Sequence, residues 1–374
     1  HGGLSVAALH LLYAEPEVAS FMLHRAVEKI PLGLLPYAPD GIYPEGPSYW
    51  FYATDYLVAT LSACQTALGT DFGFSLAPGV RESAVVSEVT AGPSGDYYNF
   101  FDSRRKGFHT PTHFGLLAWF ARQQNRGIDA QACMEVLKNA VADKAVGSRM
   151  LTLAFLHMAS LEHQQGQQKP PLHWAGEGDS PLCVLRASEE AGTGFFLAAK
   201  GGRAADNHGN MDAGSFIFEL NGVRWSVDPG NQSYHPLEEI MGGELWNNEQ
   251  NSRRWSLLTK NNFGHSTLTV NNGLHTADAR APLSLTDLQG QQPSASFNLS
   301  PVFEEKLSGA IRTFTKLSDT ELRITDELEL AEGAEKITWQ LVTFAEVKAR
   351  KRFVQLLQNG QELFLQVRSP QGYR

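Results

Sequence analysis

The sequence is poor in cysteine: Cys64, Cys133 and Cys183 are all it has. They are odd in number and far apart, which excludes a disulfide framework and a clustered metal-thiolate spacing. Cys64 sits at a core position of a helical pattern and reads as a small apolar side chain. Long apolar runs are also missing. The longest, such as Tyr56 to Cys64, fall far short of the ~20 residues that a membrane-spanning helix needs, so no membrane span is expected. Basic excess is absent too. Lys and Arg number 31 against 40 Asp and Glu, a net charge of -9. That excludes the basic stripe with which nucleic-acid-binding proteins neutralise phosphates, and any polyanionic ligand must be met by a local basic pocket. There is no internal repeat and no low-complexity tract. There is no initiator methionine either: the chain opens on His1, directly in an apolar helical pattern. The expectation is a fragment, with any signal peptide and earlier helices lying upstream.

What is present is a globular composition, 42% hydrophobic and 19% charged over 374 residues. At roughly 150 residues per domain that is a prior of about two to three domains. The two halves differ in period. From Leu4 to about Glu162 apolar residues recur at helical spacing. Pro16 opens a helix whose expected buried stripe is Val18, Phe21, Met22, Val27 and Ile30. Tyr49 to Leu68 and His113 to Gln124 read as helices, with weaker patterns at Val80 to Thr90, Asp129 to Ala140 and Ser148 to Leu161. After Gln164 to Pro171, a polar stretch that reads as a linker, the pattern changes to short alternating runs with turn residues. Asn221-Gly222 and Asn359-Gly360 predict two-residue hairpins, because both central residues of a type I′ turn need positive φ.

In the helical half, the loop Asp40-Gly41-Ile42-Tyr43-Pro44-Glu45-Gly46-Pro47-Ser48 leads into the Tyr49 helix. Trp50, Leu57, Leu61, Cys64 and Leu68 form one stripe, the expected core face, and Tyr49, Tyr52 and Tyr56 another roughly 120° away. Three phenols on one stripe suit a cleft wall that stacks on sugars and donates hydrogen bonds; the stripe alone more often marks a helix seam with hydroxyls at its rim. The aromatic and basic run Tyr97 to His109, with Arg104, Arg105 and Lys106, reads either as an anion site or as a solvated loop.

In the strand half, Asp206 to Phe216 leads into the hairpin that turns at Asn221-Gly222. A two-residue turn pairs Leu220 with Val223, Phe218 with Trp225 and Phe216 with Val227. That register buries these six residues on one face and sends Asp228 out beside His208, Asn210 and Asp212. His265, at the start of the strand Ser266 to Val270, is expected to join them. Two imidazoles, a carboxylate and an amide can hold a divalent cation. They can as readily form hydrogen bonds among themselves, with Asp228 capping its own turn.

Four blocks together, DGIYPEGPSYWFY, HGNMDAGSF, GVRWSVDPGNQSY and NNFGHSTLTVN, resemble the heparinase II/III-like family of polysaccharide lyases over roughly Pro36 to Asn272. The resemblance implies an incomplete α/α toroid followed by a large antiparallel β-sandwich. The expected domains are residues 1–165, the later part of a toroid, and residues 171–374, the sandwich. It implies β-elimination on a uronic-acid polysaccharide, with Tyr49 matching the family's catalytic tyrosine and His208 its catalytic histidine. Asp228 and His265 match two ligands of one structural divalent metal, zinc by resemblance. Asn210 stands where the family has a third, histidine ligand. Zinc, a harder ion and a metal-free hydrogen-bonded cluster all stay open at that position. The family's remaining catalytic group, an Asn or His on an earlier helix, would fall upstream of His1. An acidic glycan partner further implies a secreted or periplasmic protein.

β-Elimination needs a base for the C5 proton of the uronate, an acid for the leaving O4, and donors for the enolate-like carboxylate that develops. A tyrosine whose pKa of about 10 is lowered by nearby cations serves as acid, and in a syn elimination also as base. His208 then serves as base for an anti elimination or as a donor. Arg253 and Arg254 are the expected bidentate partners of substrate carboxylates or sulfates. Glu45, Tyr52 and Tyr234 are further substrate-binding candidates. Two rival readings remain: a glycoside hydrolase drawing two carboxylates from Asp40, Glu45, Asp102 and Asp212, and a non-catalytic acidic-glycan-binding protein.

Overall fold

Pro16 does open a helix, running Pro16–Leu34, since its missing N–H costs nothing in a first turn. The computed structural model describes residues 1–106, 113–124, 138, 142, 150–159, 171–303, 306–351 and 353–369. These fall into two compact units, one of His1–Thr90, Ser103–Pro171 and Gly176–Asp179, the other of Ala91–Asp102, Leu172–Ala175 and Ser180–Arg374. The expected helix Asp129 to Ala140, nearly all of the linker Gln164 to Pro171, and Cys133 lie outside the described residues.

The first unit is helical. Its helices are Gly2–Leu11, Pro16–Leu34, Pro47–Leu68, Ala84–Val89, His113–Gln124 and Leu151–Ala159. The pattern at Val80 to Thr90 shortens to Ala84–Val89 because the preceding residues form turns, with the Ser83 hydroxyl donating to the Val80 carbonyl at 2.7 Å. On the Pro16 helix the buried residues are Ala19, Ala26 and Leu34, whereas Val18 and Phe21 are exposed. The stripe expected there is corrected at Val18 and Phe21, while Met22, Val27 and Ile30 are half-buried beside the fully buried Ala19, Ala26 and Leu34. Along Pro47–Leu68 the expected face holds. Trp50, Leu57, Leu61 and Cys64 are buried, and only Leu68, in the last turn, is partly exposed. Gly115 is obligatory where two helices meet, for a Cβ there would lie 2.3 Å from the Ala154 Cα.

The second unit is antiparallel β. A five-stranded sheet orders His173–Gly176, Leu182–Arg186, Phe196–Lys200, Phe216–Leu220 and Val223–Ser226. A four-stranded sheet orders Glu321–Leu330, Leu307–Ser318, Ser294–Asn298 and Leu283–Asp287. Smaller pairings complete it, including Ile337–Trp339 with Leu268–Val270 and the meander Glu346–Ala349, Val354–Gln358, Gln361–Leu365. Phe216 of the first sheet meets Phe314 of the second at 5.6 Å, and Phe314 meets Phe297 at 6.1 Å. Aromatic rings interdigitating between sheets, with Trp225, Leu197 and Ala310 also buried, make one continuous core. The chain is thus a helical part followed by an antiparallel sheet-rich part, as its two periods predict.

Both hairpins turn where expected, with Asn221 at φ 52 and Gly222 at φ 73, and Asn359 at φ 52 and Gly360 at φ 73. The register differs beyond the first pair. Leu220 faces Val223, but a bulge between Phe218 and Glu219 puts Phe218 opposite Ser226 instead of Trp225. One extra residue on one strand is what a bulge inserts. The cause is visible at Glu219, which is buried and takes Arg224 Nε at 2.8 Å, Ser94 N at 3.0 Å and Ser94 Oγ at 2.9 Å. Both faces of this hairpin are therefore covered, one by apolar packing and one by a buried ionic network.

Candidate active site

His208 lies in the loop after the short strand Gly202–Arg203 and takes φ 57, a left-handed conformation that a non-glycine residue adopts at a cost. The loop is tight, since a Cβ at Gly209 would lie 2.5 Å from the Ala204 carbonyl oxygen. This places the imidazole Nδ1 2.9 Å from Asp102 Oδ2. Asp102 ends the stretch Ala91–Asp102 and follows Phe101, which is also left-handed, at φ 65. Tyr234, first residue of the helix Tyr234–Met241, donates its hydroxyl to the same Asp102 oxygen at 3.0 Å and lies 3.1 Å from His208 Nδ1. Lys260 donates to the other oxygen, Asp102 Oδ1. Trp246 packs edge-on to both rings, 6.0 Å from His208 and 5.0 Å from Tyr234.

Asp102 and Lys260 are each 1% exposed, whereas His208 keeps 17% of its side chain accessible. Burial alone would raise the Asp102 pKa; the hydrogen bond from His208 and the Lys260 ammonium overcome it and bring the carboxyl down to about 2. Burial pulls Lys260 below its ordinary value, and Asp102 opposes that pull. An ionised carboxylate only accepts, so Nδ1 of His208 carries a proton and the neutral ring bears its lone pair on Nε2. A buried acceptor that fixes the tautomer of a partly accessible imidazole is an arrangement suited to general-base work.

From the sequence Asp102 reads as a carboxylate for hydrolysis or as part of the Tyr97 to His109 run, and Lys260 carries no signal. They lie 106 residues from His208 and 158 residues from Asp102 respectively, and no local pattern joins them. Arg254 is corrected. It is buried, its guanidinium donates to the carbonyls of Leu245 and Gly209, the latter at 2.8 Å, and burial lowers its pKa. It braces the His208 loop and does not reach for a ligand. Arg253 is exposed.

In the first unit, Gly46 at φ 82 turns the loop into Pro47, and the Ser48 backbone N–H donates to Ser103 Oγ at 3.2 Å while Ser48 Oγ accepts from the Arg104 N–H at 3.0 Å. Tyr49 and Glu45 are half-buried; Tyr52 is 57% exposed and meets Tyr56 edge-on at 5.4 Å. Nearby, burial, with Glu45 adding to it, pushes the Tyr43 phenol up to about 12. On the same helix burial raises Asp55 to about 7.

At the expected metal position, Asp228 and His265 do come together. His265 Nδ1 lies 2.8 Å from Asp228 Oδ2, and Asp228 Oδ1 accepts from Gly230 N at 2.9 Å. Asp212 joins them, with one ligand atom from each of Asp212, Asp228 and His265 within 4.8 Å of the others. Asn210 is buried with both amide atoms unpartnered. Burial would lower the His265 pKa, but Asp228 and Asp212 raise it above its ordinary value. These residues do not fit zinc. Structural zinc takes four, mostly Cys and His, ligands. Here a single imidazole is offered, it bonds its carboxylate neighbour directly, and Asp212 already accepts from the Lys200 ammonium.

Fold and site together define a helical and antiparallel-sheet protein with an aspartate-oriented histidine in its sheet-rich unit. The family model for heparinase II/III-like, C-terminal, matches residues 178–373. The chain belongs to the heparinase II/III-like family. No curated protein matches the sequence. Among solved structures, heparinase III is similar at TM-score 0.64 and 14% identity, covering 98% of this chain and 53% of that one. Heparan sulfate lyase HepC from Pedobacter heparinus is similar at TM-score 0.66 and 15% identity, covering 98% of this chain and 51% of that one. The chain therefore spans about half the length of these structures. Among the described residues no helix is long and apolar enough to cross a membrane.

Proposed function

We propose that this chain carries catalytic residues of a polysaccharide lyase that cleaves a uronic-acid-containing glycan by β-elimination. The observation that carries the reading is the Asp102–His208 pair within a chain of the heparinase II/III-like family. In this reading His208 Nε2 takes the C5 proton. The C5–H electron pair becomes the C4=C5 double bond, the C4–O4 bond breaks, and the Tyr49 hydroxyl gives its proton to the departing oxygen. Asp102 stabilises the imidazolium that forms, as a buried carboxylate does for a histidine base. Tyr234 holds Asp102 and His208 in register. Arg253, Glu45 and Tyr52 serve substrate binding, with Arg253 the partner for substrate carboxylate or sulfate. Export to the periplasm or medium goes with a polymeric acidic substrate.

The test is ultraviolet absorbance of unsaturated uronate with heparan sulfate, chondroitin, hyaluronan, alginate and ulvan. Heparan sulfate heads the panel because a structural neighbour is a heparan sulfate lyase. Absorbance that rises with one glycan and is lost in His208→Ala, with unchanged thermal unfolding, supports the reading. Turnover that survives His208→Ala removes the histidine from the chemistry.

A further inference from the structure

We infer that the ammonium of Lys200 is the resident cation of the Asp212, Asp228 and His265 cluster, and that this chain maintains the cluster without a metal ion. Lys200 ends the strand Phe196–Lys200, all five residues of which are buried. Its backbone is clamped against the turn that carries Asp212: Lys200 N donates to Ser215 O at 3.1 Å, and Gly214 N donates to Lys200 O at 2.8 Å. The neighbouring Gly201 admits no side chain, since a Cβ there would lie 2.1 Å from the Ala281 carbonyl oxygen. From this fixed base the side chain, 1% exposed, delivers its ammonium to Asp212 Oδ1, and the same nitrogen stands 4.5 Å from the centre of the Phe101 ring.

A carboxylate and an aromatic face are both partners that suit a cation, and both strengthen when water is excluded. The position is thus already served by a charge built into the chain. Asp228 needs no ion to hold it, because both of its oxygens are engaged, by His265 and by Gly230. On the cluster residues and on Asn210 and Ser215 beside Asp212 in sequence, the buried polar atoms without a hydrogen-bond partner among the described residues are Asn210 Oδ1 and Nδ2, Asp212 Oδ2, Ser215 Oγ and His265 Nε2. They mix donors with acceptors. The Asn210 amide N–H₂ is a donor alone; a bridging water, which uses both kinds of partner, can meet it as well as the acceptors, whereas a cation would leave it unmet. Asn210 in place of a histidine is consistent with a cluster that no longer recruits zinc.

The test uses the whole chain and is independent of whether it is a lyase. Purified protein is dialysed and its metal content measured, and thermal unfolding is followed alone, with EDTA, with zinc chloride and with calcium chloride. The expected result is bound metal well below one equivalent and a Tm that moves by less than about 1 °C, since a ligand that does not bind the native state cannot shift it. One retained equivalent of metal, or a Tm that falls with EDTA and returns with zinc, overturns the inference. Two variants separate the residues. Asn210→His restores the expected third ligand and is expected to stay insensitive to zinc, whereas Asn210→His with Lys200→Met gains a zinc-dependent rise in Tm. Zinc binding by Asn210→His alone would show that the asparagine, and not the ammonium, keeps metal out, and would overturn the role given to Lys200.

Discussion

Asp102→Asn keeps the shape of the side chain and removes the charge on which His208 and Lys260 both depend. Lys260 is 1% exposed and Asp102 is its carboxylate, so the variant strands an ammonium in the interior. Removing one partner of a buried ion pair costs about 3–5 kcal/mol. For a unit of this size each kcal/mol corresponds to roughly 2–4 °C, so Tm should fall by roughly 6–20 °C. Turnover should fall separately. An amide can present N–H₂ where a carboxylate only accepts, so His208 loses the bias toward a protonated Nδ1, and kcat is expected to drop by at least about 100-fold. Asp102→Asn with Lys260→Met removes the stranded charge and should recover stability to within about 1–2 kcal/mol of the parent, while kcat stays low. Calorimetry and unsaturated-uronate absorbance measure the two effects. A Tm unchanged in Asp102→Asn, or turnover restored in the double variant, would refute this account of Asp102.

Acid should weaken the same pair. Its folded pKa of about 2 lies below the ordinary carboxylate value of about 3.9, so the ionised form contributes about 2–3 kcal/mol. That contribution is complete above about pH 4 and is lost as pH falls through about 2; urea unfolding from pH 5 to pH 2 should therefore show a shallower loss in the Asp102→Asn, Lys260→Met variant than in the parent. Arg254→Ala strips the donors from the Leu245 and Gly209 carbonyls and should lower stability by about 2–4 kcal/mol, whereas exposed Arg253→Ala should leave it within about 0.5 kcal/mol and raise KM. Tyr234→Phe removes one donor to Asp102 and should cost about 1 kcal/mol of stability and roughly tenfold in kcat, less than loss of His208.

Local rules carried much of the fold into legibility. Asn-Gly at both hairpins, Pro16 at a helix start and the apolar stripe of the Tyr49 helix are short-range signals, and all appear in the structure. The pairing of Asp228 with His265 was readable because a strand end and a strand start carry them to one place. Longer-range consequences were not. The bulge beside Glu219 follows from a buried network with Arg224 and Ser94, and Ser94 lies 125 residues away. Arg254 reads from the sequence as a partner for substrate anions, because burial of a guanidinium depends on carbonyls offered by distant loops, which no spacing reveals. Asp102 and Lys260 were hidden for the same reason. Val18 and Phe21 are exposed because an apolar period marks a candidate face, while the packing neighbours select which part of it is buried; here that part centres on Ala19, Ala26 and Leu34, with Met22, Val27 and Ile30 half-buried.

The central claim is that the glycosidic bond is broken by elimination and not by water. The most direct measurement is mass spectrometry of the products released in water enriched in heavy oxygen, using the glycan that gives turnover. Elimination leaves both new ends without oxygen from solvent and the non-reducing end lighter by one water, and Tyr49→Phe should suppress that product. Heavy oxygen in the newly formed ends, with no unsaturated uronate, would contradict the account and place the chain among hydrolases.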